Sequence, residues 1–390
     1  MLPASGAQLL PPLALYIHLP WCIRKCPYCD FNSYASTAPP AEHYIQQLLA
    51  DLENELQNPA AQRPLSSIFI GGGTPSLFSG AAIQTLLNGI RSRTALLPNL
   101  EITLEANPGA ADARRFAAYR AAGVNRLSIG IQSLSAAQLT QLGRIHNPDQ
   151  ARAAIAAARD AGFDNLNIDM MFALPAQRLR EAAIDLEAAL EFLPEHISYY
   201  QLTLEPDTVF HTKPPILPDD EVAAEMAIQG RELLAQAGFA QYEVSAYSRP
   251  HYQCRHNLNY WQFGDYLGIG AGAHGKLTDA RLDNESWRIW RTVKHAHPSI
   301  YLQAAANDFI ANRTELSADD CVCEFALNAL RLTDGFNTEL FTQTTGLPFA
   351  HLETHVAQAI ADGLLSVDGD HIQPTALGRD FLDDLVGRFA

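Results

Sequence analysis

Apolar runs of strand length alternate with Ala/Leu-rich stretches through the first 250 residues of the chain. The runs Leu13–His18, Ser67–Gly71, Glu101–Ala106, Arg126–Ile131, Asn165–Phe172 and Ile197–Thr203 read as strands. Between them, Glu42–Leu56, Ala81–Arg91, Ala111–Ala122, Asp149–Ala161 and Arg178–Leu193 carry the longer period of helices. Six strand–helix units in series predict an α/β fold, a parallel sheet with helices outside, partly closed like a (β/α)6 TIM-like barrel. Chemistry in such folds gathers at the carboxyl ends of the strands, on the loops that follow them.

The pattern changes towards the C-terminus. From about Glu315 it is helical, including Cys323–Leu332 and His351–Asp362. A hairpin then spans Leu364–Ile372 with Asp368-Gly369 at its turn, and Thr375–Val386 reads as a final helix. Helix, helix and hairpin resemble a small winged-helix-like domain. Residues 1–250 are therefore expected to form the barrel, 251–312 a connecting segment and 313–390 a C-terminal module. The module carries few basic residues, so docking or lid duty suits it better than DNA binding.

Composition narrows the class. At 390 residues and 47% hydrophobic, the chain can bury a large core. A formal net charge of −16 argues against nucleic acid or an anionic membrane as a general partner, though not against a small anion held by local arginines. Residues 1–12 show no basic stretch before an apolar run, and no span of about 20 apolar residues occurs. The expectation is a cytoplasmic chain without an integral membrane segment, with room for peripheral contact. Six cysteines in a chain of this length do not suggest a disulfide framework.

Three of those cysteines, Cys22, Cys26 and Cys29, lie within eight residues, directly after the first strand. Zinc would more often show two Cys-x-x-Cys knuckles, and no second pair follows at that spacing. Three thiolates can instead hold three corners of a [4Fe–4S] cluster, leaving one iron open to an outside ligand.

Other strand ends bring further polar groups to the same rim. Gly71-Gly72-Gly73-Thr74-Pro75 follows the second strand, and its glycines let backbone approach a ligand or simply make an awkward turn. Glu105 ends the third strand, Gln132 the fourth, with Arg144 and His146 a short helix later, and Asp169 lies on the fifth. Each alone reads as a cap or solvated group; their shared position favours a ligand site.

Tyr16-Ile17-His18-Leu19-Pro20-Trp21-Cys22 with the cysteine spacing resembles the radical S-adenosylmethionine (SAM) superfamily, and within it the coproporphyrinogen III dehydrogenase-like family. Gly-Gly-Gly-Thr-Pro, Glu-Ala-Asn-Pro, Ser-Ile-Gly-Ile-Gln-Ser, Leu-Gly-Arg-x-His and Asp-Met-Met-Phe carry the likeness along nearly the whole chain. The resemblance implies a radical SAM barrel in which Cys22, Cys26 and Cys29 hold the cluster and SAM chelates the fourth iron. It implies SAM contacts from Tyr16, Tyr28, Gly72, Gly73, Thr74, Glu105, Gln132, Arg144 and Asp169. Arg144 suits the SAM carboxylate, since its planar fork gives two parallel charge-assisted bonds. An electron donor would then allow cleavage of SAM to a 5′-deoxyadenosyl radical, chemistry that belongs to the cofactor.

The family has an enzyme branch and a heme-chaperone branch. On the enzyme branch, which decarboxylates coproporphyrinogen III oxidatively, another cysteine stands two positions after the third ligand; here that place is Phe31. That branch also has a longer N-terminal extension, whereas 21 residues precede Cys22. His256-Asn257-Leu258-Asn259-Tyr260-Trp261 reproduces a His-Asn-x-x-Tyr-Trp signature associated with heme on the chaperone branch. Physically, a His beside Tyr and Trp is more often a core contact. The resemblance instead makes His256, Asn257, Tyr260 and Trp261 heme contacts, with heme and heme-acceptor proteins as partners. Cys254 reads as a small buried hydrophobe and His274 as a loop residue, a heme role being the lesser alternative for each. The expectation is a heme chaperone carrying a SAM-ligated cluster; porphyrinogen oxidation is the rival.

Overall fold

The computed structural model describes residues 10–110, 113–280 and 287–390. Six parallel strands follow one another in space as in the chain: β1 (Leu13–Leu19), β2 (Leu65–Gly72), β3 (Leu96–Ala106), β4 (Arg126–Gln132), β5 (Leu166–Phe172) and β6 (His196–Gln201). Their register aligns Leu15 with Ile68, Ile68 with Ile102, Leu104 with Leu127, and Ile129 with Ile168 and then Ile197 through successive pairs. Apolar side chains thus sit in rows across the sheet, which pins each strand against a slip of one residue.

Helices α1 (Ala41–Glu55), α2 (Gly80–Arg91), α3 (Ala113–Ala122), α4 (Pro148–Asp160) and α5 (Leu179–Leu190) cover the outside. In α2, Ile83, Leu86, Leu87 and Ile90 recur at helical spacing and are buried in the main core, while Ser79 caps its first turn by accepting from the Ala82 amide. Asn147 and Gln150 form a capping box at the start of α4. The helix expected over 111–122 begins at Ala113; Ala111 and Asp112 lie outside the described residues.

The sheet extends beyond the six expected strands. Past β6 it adds β7 (Ala240–Glu243) and β8 (Ala246–Ser248), after helix α6 (Asp220–Gln236). On the other side, after helix α7 (Arg255–Trp261), β9 (Asp265–Ile269) lies parallel to β1. Then β10 (His274–Ala280), β11 (Trp287–Lys294) and β12 (Ile310–Glu315) continue antiparallel. Twelve strands result, in the order β12-β11-β10-β9-β1-β2-β3-β4-β5-β6-β8-β7. His274, expected in a loop, opens β10.

Strands β9, β10 and β11 escape an apolar pattern because they bury charge in pairs. Asp265, fully buried, accepts from Arg63 Nη2 at 2.6 Å, Lys276 Nζ at 3.0 Å and Thr278 Oγ1 at 2.8 Å. Lys294 on β11 is likewise buried against Asp51 and Glu55 of α1. Such pairs hide in the sequence as polar residues, although they sit where a strand would ordinarily show Val or Ile.

The C-terminal residues form helices α8 (Ala318–Ala329), α9 (Thr338–Thr345) and α10 (Ala350–Ala361). A three-stranded sheet accompanies them: β13 (Phe336–Asn337), β14 (Leu365–Asp368) and β15 (His371–Pro374). Gly369 takes φ 65° at the hairpin turn, where a side chain would be strained. Their own apolar cluster, with Phe325, Phe336, Phe341, Leu352 and Ile372, also takes in Phe263 and Ile289 from the main sheet's extension. The expected single final helix is two short ones, Ala376–Asp380 and Leu382–Val386, broken at Phe381 (φ −119°, ψ 49°). Among the described residues no helix is long and apolar enough to cross a membrane.

Candidate functional site: the cysteine loop and the barrel mouth

The cysteine loop is shaped by backbone bonds rather than by its thiols. Trp21–Cys22 pairs in parallel with Tyr34–Ala35, drawing the loop shut at its base. Tyr34 N donates to Pro20 O at 2.7 Å, Ser36 N to Cys22 O at 2.9 Å, and Cys29 N to Cys26 O at 3.1 Å. The Pro-rich segment 206–218 supports it from below. Phe210 N bonds Pro27 O at 2.9 Å, and Phe210 packs with Leu142, Met171, Leu174 and Leu202, with Tyr28 alongside.

The glycine run meets this loop at close quarters. Gly73 N bonds Leu19 O at 2.8 Å and Thr74 N bonds Trp21 O at 2.7 Å. A Cβ on Gly73 would stand 2.5 Å from Trp21 O, so only glycine permits the approach. Gly72 has φ 113° and donates its N–H to Glu105 Oε2 at 3.1 Å.

The three cysteines and every expected SAM contact except Tyr16 line a single cavity of about 340 Å³ at the barrel mouth. Arg144 donates to Gly130 O at 2.6 Å and reaches Cys26 Sγ at 3.7 Å, while its buried Nε has no partner. Gln132 holds the left-handed φ of 68° at the end of β4, an uncommon conformation for a non-glycine residue, and accepts from Tyr200 OH at 2.6 Å. Asp169 accepts from Asn167 Nδ2 at 2.7 Å and Ser128 Oγ at 3.3 Å. Burial, reinforced by the Asp169 charge, pushes the Glu105 carboxyl up to about 8. Burial likewise raises the Asp169 carboxyl and the Cys22 and Cys29 thiols.

Arg126 is a buried cavity residue that the sequence reading missed, as it missed His196, Ser198 and Tyr200. It is 2% exposed, lines the cavity, and finds no hydrogen-bond or ion-pair partner among the described residues. It opens an apolar strand, so its only sequence signal is a charge at the edge of a buried run.

This donor set fits a cluster with a cationic amino-acid ligand. Among the described residues no group of three or more His, Cys, Asp or Glu side chains is arranged to hold a single metal ion. Tetrahedral zinc, with Zn–S near about 2.3 Å, draws its ligands tightly around one point. Sulfurs that each serve a different iron stand further apart. Cys22, Cys26 and Cys29 would take three irons, with Glu105 and Asp169 beside a positive ligand and Arg144 beside its carboxylate.

The second expected group is not gathered around one opening. His256 is 1% exposed; its Nδ1 pairs with Ser67 Oγ at 3.0 Å and its Nε2 with Tyr260 OH at 2.8 Å. Its ring stacks on Phe69 at 5.1 Å between centroids, and burial pushes its pKa down to about 3. Asn257 lines the cluster cavity instead. Trp261 lies beneath the Arg331 guanidinium, 4.3 Å from the ring centre. Tyr260 joins Tyr16 in the wall of a neighbouring cavity of about 490 Å³. Cys254 is buried, with its thiol pushed up to about 12.

A three-cysteine loop over the mouth of a partial α/β barrel, with a glycine cradle on the next strand, is the architecture of the radical SAM class. The model of the radical SAM superfamily matches residues 16–188 and that of the HemN C-terminal domain residues 316–381. Heme chaperone HemW of Escherichia coli (strain K12) is 48% identical, over 97% of this chain and 98% of its own. HemW of Haemophilus influenzae is 46% identical over the same shares, and HemW of Mycobacterium tuberculosis 36% identical over 99% and 96%. The solved structure of coproporphyrinogen III oxidase (HemN) from Escherichia coli superposes with a TM-score of 0.80 at 23% identity, covering 98% of this chain and 91% of that one. The chain belongs to the HemW family of radical SAM proteins.

Proposed function

We propose that this protein is a cytoplasmic heme chaperone: it binds heme beside a SAM-ligated [4Fe–4S] cluster and passes the heme to acceptor proteins. One observation carries the reading. Identity of 36–48% to chains named heme chaperone HemW runs almost end to end, through the barrel, the 251–312 segment and the 313–390 module alike. The likeness to coproporphyrinogen III oxidase is one of fold, at 23% identity. Porphyrinogen oxidation is therefore not favoured, and Phe31 stands where that branch has its additional cysteine.

When bound, the cluster, with SAM on its fourth iron, would accept an electron from an outside donor. The chain's own part is to seat SAM and keep water from it. The barrel, the heme-signature segment and the C-terminal module would divide cluster binding, heme contact and acceptor docking between them.

The test is anaerobic reconstitution followed by addition of hemin, then of an apo-globin as acceptor. The reading expects a Soret band that moves to the acceptor, and no protoporphyrinogen from coproporphyrinogen. Turnover of coproporphyrinogen without heme binding would overturn it.

Glu105 makes SAM binding pH-dependent. With its carboxyl up at about 8, it is neutral at pH 7 in the ligand-free chain. A bound sulfonium or ammonium favours the carboxylate, so SAM binding near pH 7 should release about one proton. Affinity should rise with pH up to about 8 and then level off. Titration calorimetry in buffers of different ionisation enthalpy reads the proton directly, and Glu105→Gln should abolish its release.

A further inference from the structure

We infer that the seam between the barrel's edge and the C-terminal module is a binding site for an apolar carboxylate of fatty-acid size. Such a site lies beyond the heme-chaperone reading and does not depend on it. A cavity of about 730 Å³ occupies this seam, within the range of about 300–1,000 Å³ that takes small ligands. One wall is barrel: the ends of β5 and β6, the turn between β7 and β8, and one face of α6. The other is module, from residues 330–333 and 379–382. The two are clamped at the sheet's edge strand, β7. Glu243 bridges antiparallel to Leu332, Thr333 N donates to Tyr242 O at 3.1 Å, and Thr333 Oγ1 donates to Gln241 O at 3.0 Å.

The lining offers an apolar bed and a charged end. Phe172 and Tyr199, with ring centroids 4.6 Å apart, are buried, while Ile228, Val244 and Phe381 are exposed. Phe381 falls at the break between the last two short helices, and that break places it in the lining. Arg231, Arg331 and Arg379 bring three guanidiniums against one carboxyl, Asp380. In a chain with 27 basic against 43 acidic residues, this is a local reversal of charge.

None of the three arginines is used up. The Arg231–Asp380 pair, at 3.5 Å, stands in water, where such a pair is weak and readily exchanged. Arg379 commits Nη1 to Pro374 O at 2.9 Å. Arg331 shares Nη2 with Glu243 Oε2 at 3.2 Å, and its buried Nε has no partner among the described residues. A guanidinium carries five N–H donors, so each keeps some for a ligand. A carboxylate pairs them two at a time, whereas a neutral ligand leaves them unpaired. A polyanion would leave the apolar bed unfilled and crowd Asp380. Through Asp380, Arg231 of α6 meets the segment that carries Arg379, so a bound head group would tie module to barrel. Tyr200 and Ser245 line both this cavity and the cluster cavity, so the ligand would border the SAM pocket.

Calorimetric titration of the full-length, cluster-reconstituted chain with decanoate, kept below its micelle concentration, tests the site. One decanoate should bind per chain, and decanol, the same chain without the charge, at least about tenfold more weakly. The double variant Arg231→Gln/Arg379→Gln should weaken decanoate at least about tenfold. Ala224→Trp, on an exposed position of α6 that lines the cavity, should block it. Both variants should retain full iron content, which shows that the fold has survived. Decanoate bound no tighter than decanol, binding unaltered in both variants, or one-for-one displacement of decanoate by hemin overturns the assignment and leaves the chaperone reading standing.

Discussion

Replacing Cys22, Cys26 or Cys29 singly with serine should remove the iron–sulfur absorption of the reconstituted protein, with at least about a tenfold loss of bound iron, and leave the fold intact. The loop's path is set by the Trp21–Cys22/Tyr34–Ala35 pairing and by the bonds from Tyr34 N, Ser36 N and Cys29 N, none of which uses a thiol. Serine is nearly isosteric, but its hydroxyl holds its proton far more firmly than a thiol does, so it cannot replace a thiolate on iron. Burial already raises the Cys22 and Cys29 thiols, so only the gain of iron–sulfur bonds ionises them in the folded chain. Cys254→Ser is the matched control. That thiol is buried beside Glu101 and does not line the cavity at the barrel mouth, so its loss should leave iron content unchanged. Iron counts and circular dichroism on the four variants decide the matter. Full iron in Cys26→Ser would remove the three-thiolate centre from consideration.

His256→Ala should destabilise the protein by about 3 kcal/mol at neutral pH. The substitution empties a site that is 1% exposed and leaves Ser67 Oγ and Tyr260 OH without their partner. Its pH dependence separates this from an ordinary cavity. The His256 pKa is depressed from 6.5 to about 3 by burial and the Arg126 charge, so the ring is buried neutral. A depressed base contributes stability that is complete above pH 6.5 and is lost as pH falls towards 3. The cost of His256→Ala should therefore be largest above pH 6.5 and shrink below it. Urea midpoints for both proteins at pH 7.5 and pH 5 measure the change. A cost that stays constant across this range would show that His256 does not titrate as a buried neutral ring.

The fold was legible where burial is apolar. The strands from Leu13–Leu19 to His196–Gln201 and their covering helices announce themselves by period, within one to a few residues at most ends. The exception among the six is β3, which starts at Leu96 although the strand was expected only from Glu101, after Pro98 and Asn99. The hairpin at Leu365–Pro374 was legible from its Asp-Gly turn, but the strands between Ala240 and Glu315 were not. Asp265, Lys276 and Lys294 occupy buried strand positions as ion-paired charges, and their partners Arg63, Asp51 and Glu55 lie some 200 or more residues away. Asp265 and Lys276 lie near one another in the chain, but no local window contains both halves of the Arg63–Asp265 or Asp51–Lys294 pair.

The same division runs through the site. Cys22, Cys26 and Cys29 are local in sequence because one short loop supplies all three, so their spacing alone points to the proposed metal centre. Gly72, Gly73 and Thr74 could be read from composition, since close backbone approach calls for glycine. How each histidine is held is decided only by packing. His256 is followed by Tyr260 and Trp261 in the sequence, and His274 is flanked by glycine and alanine. Tertiary contacts turn the first inward, onto Ser67 of β2, and leave the second open beside Tyr16 of β1. Whether an imidazole is free depends on what lies across from it in space, and a sequence records only its neighbours along the chain.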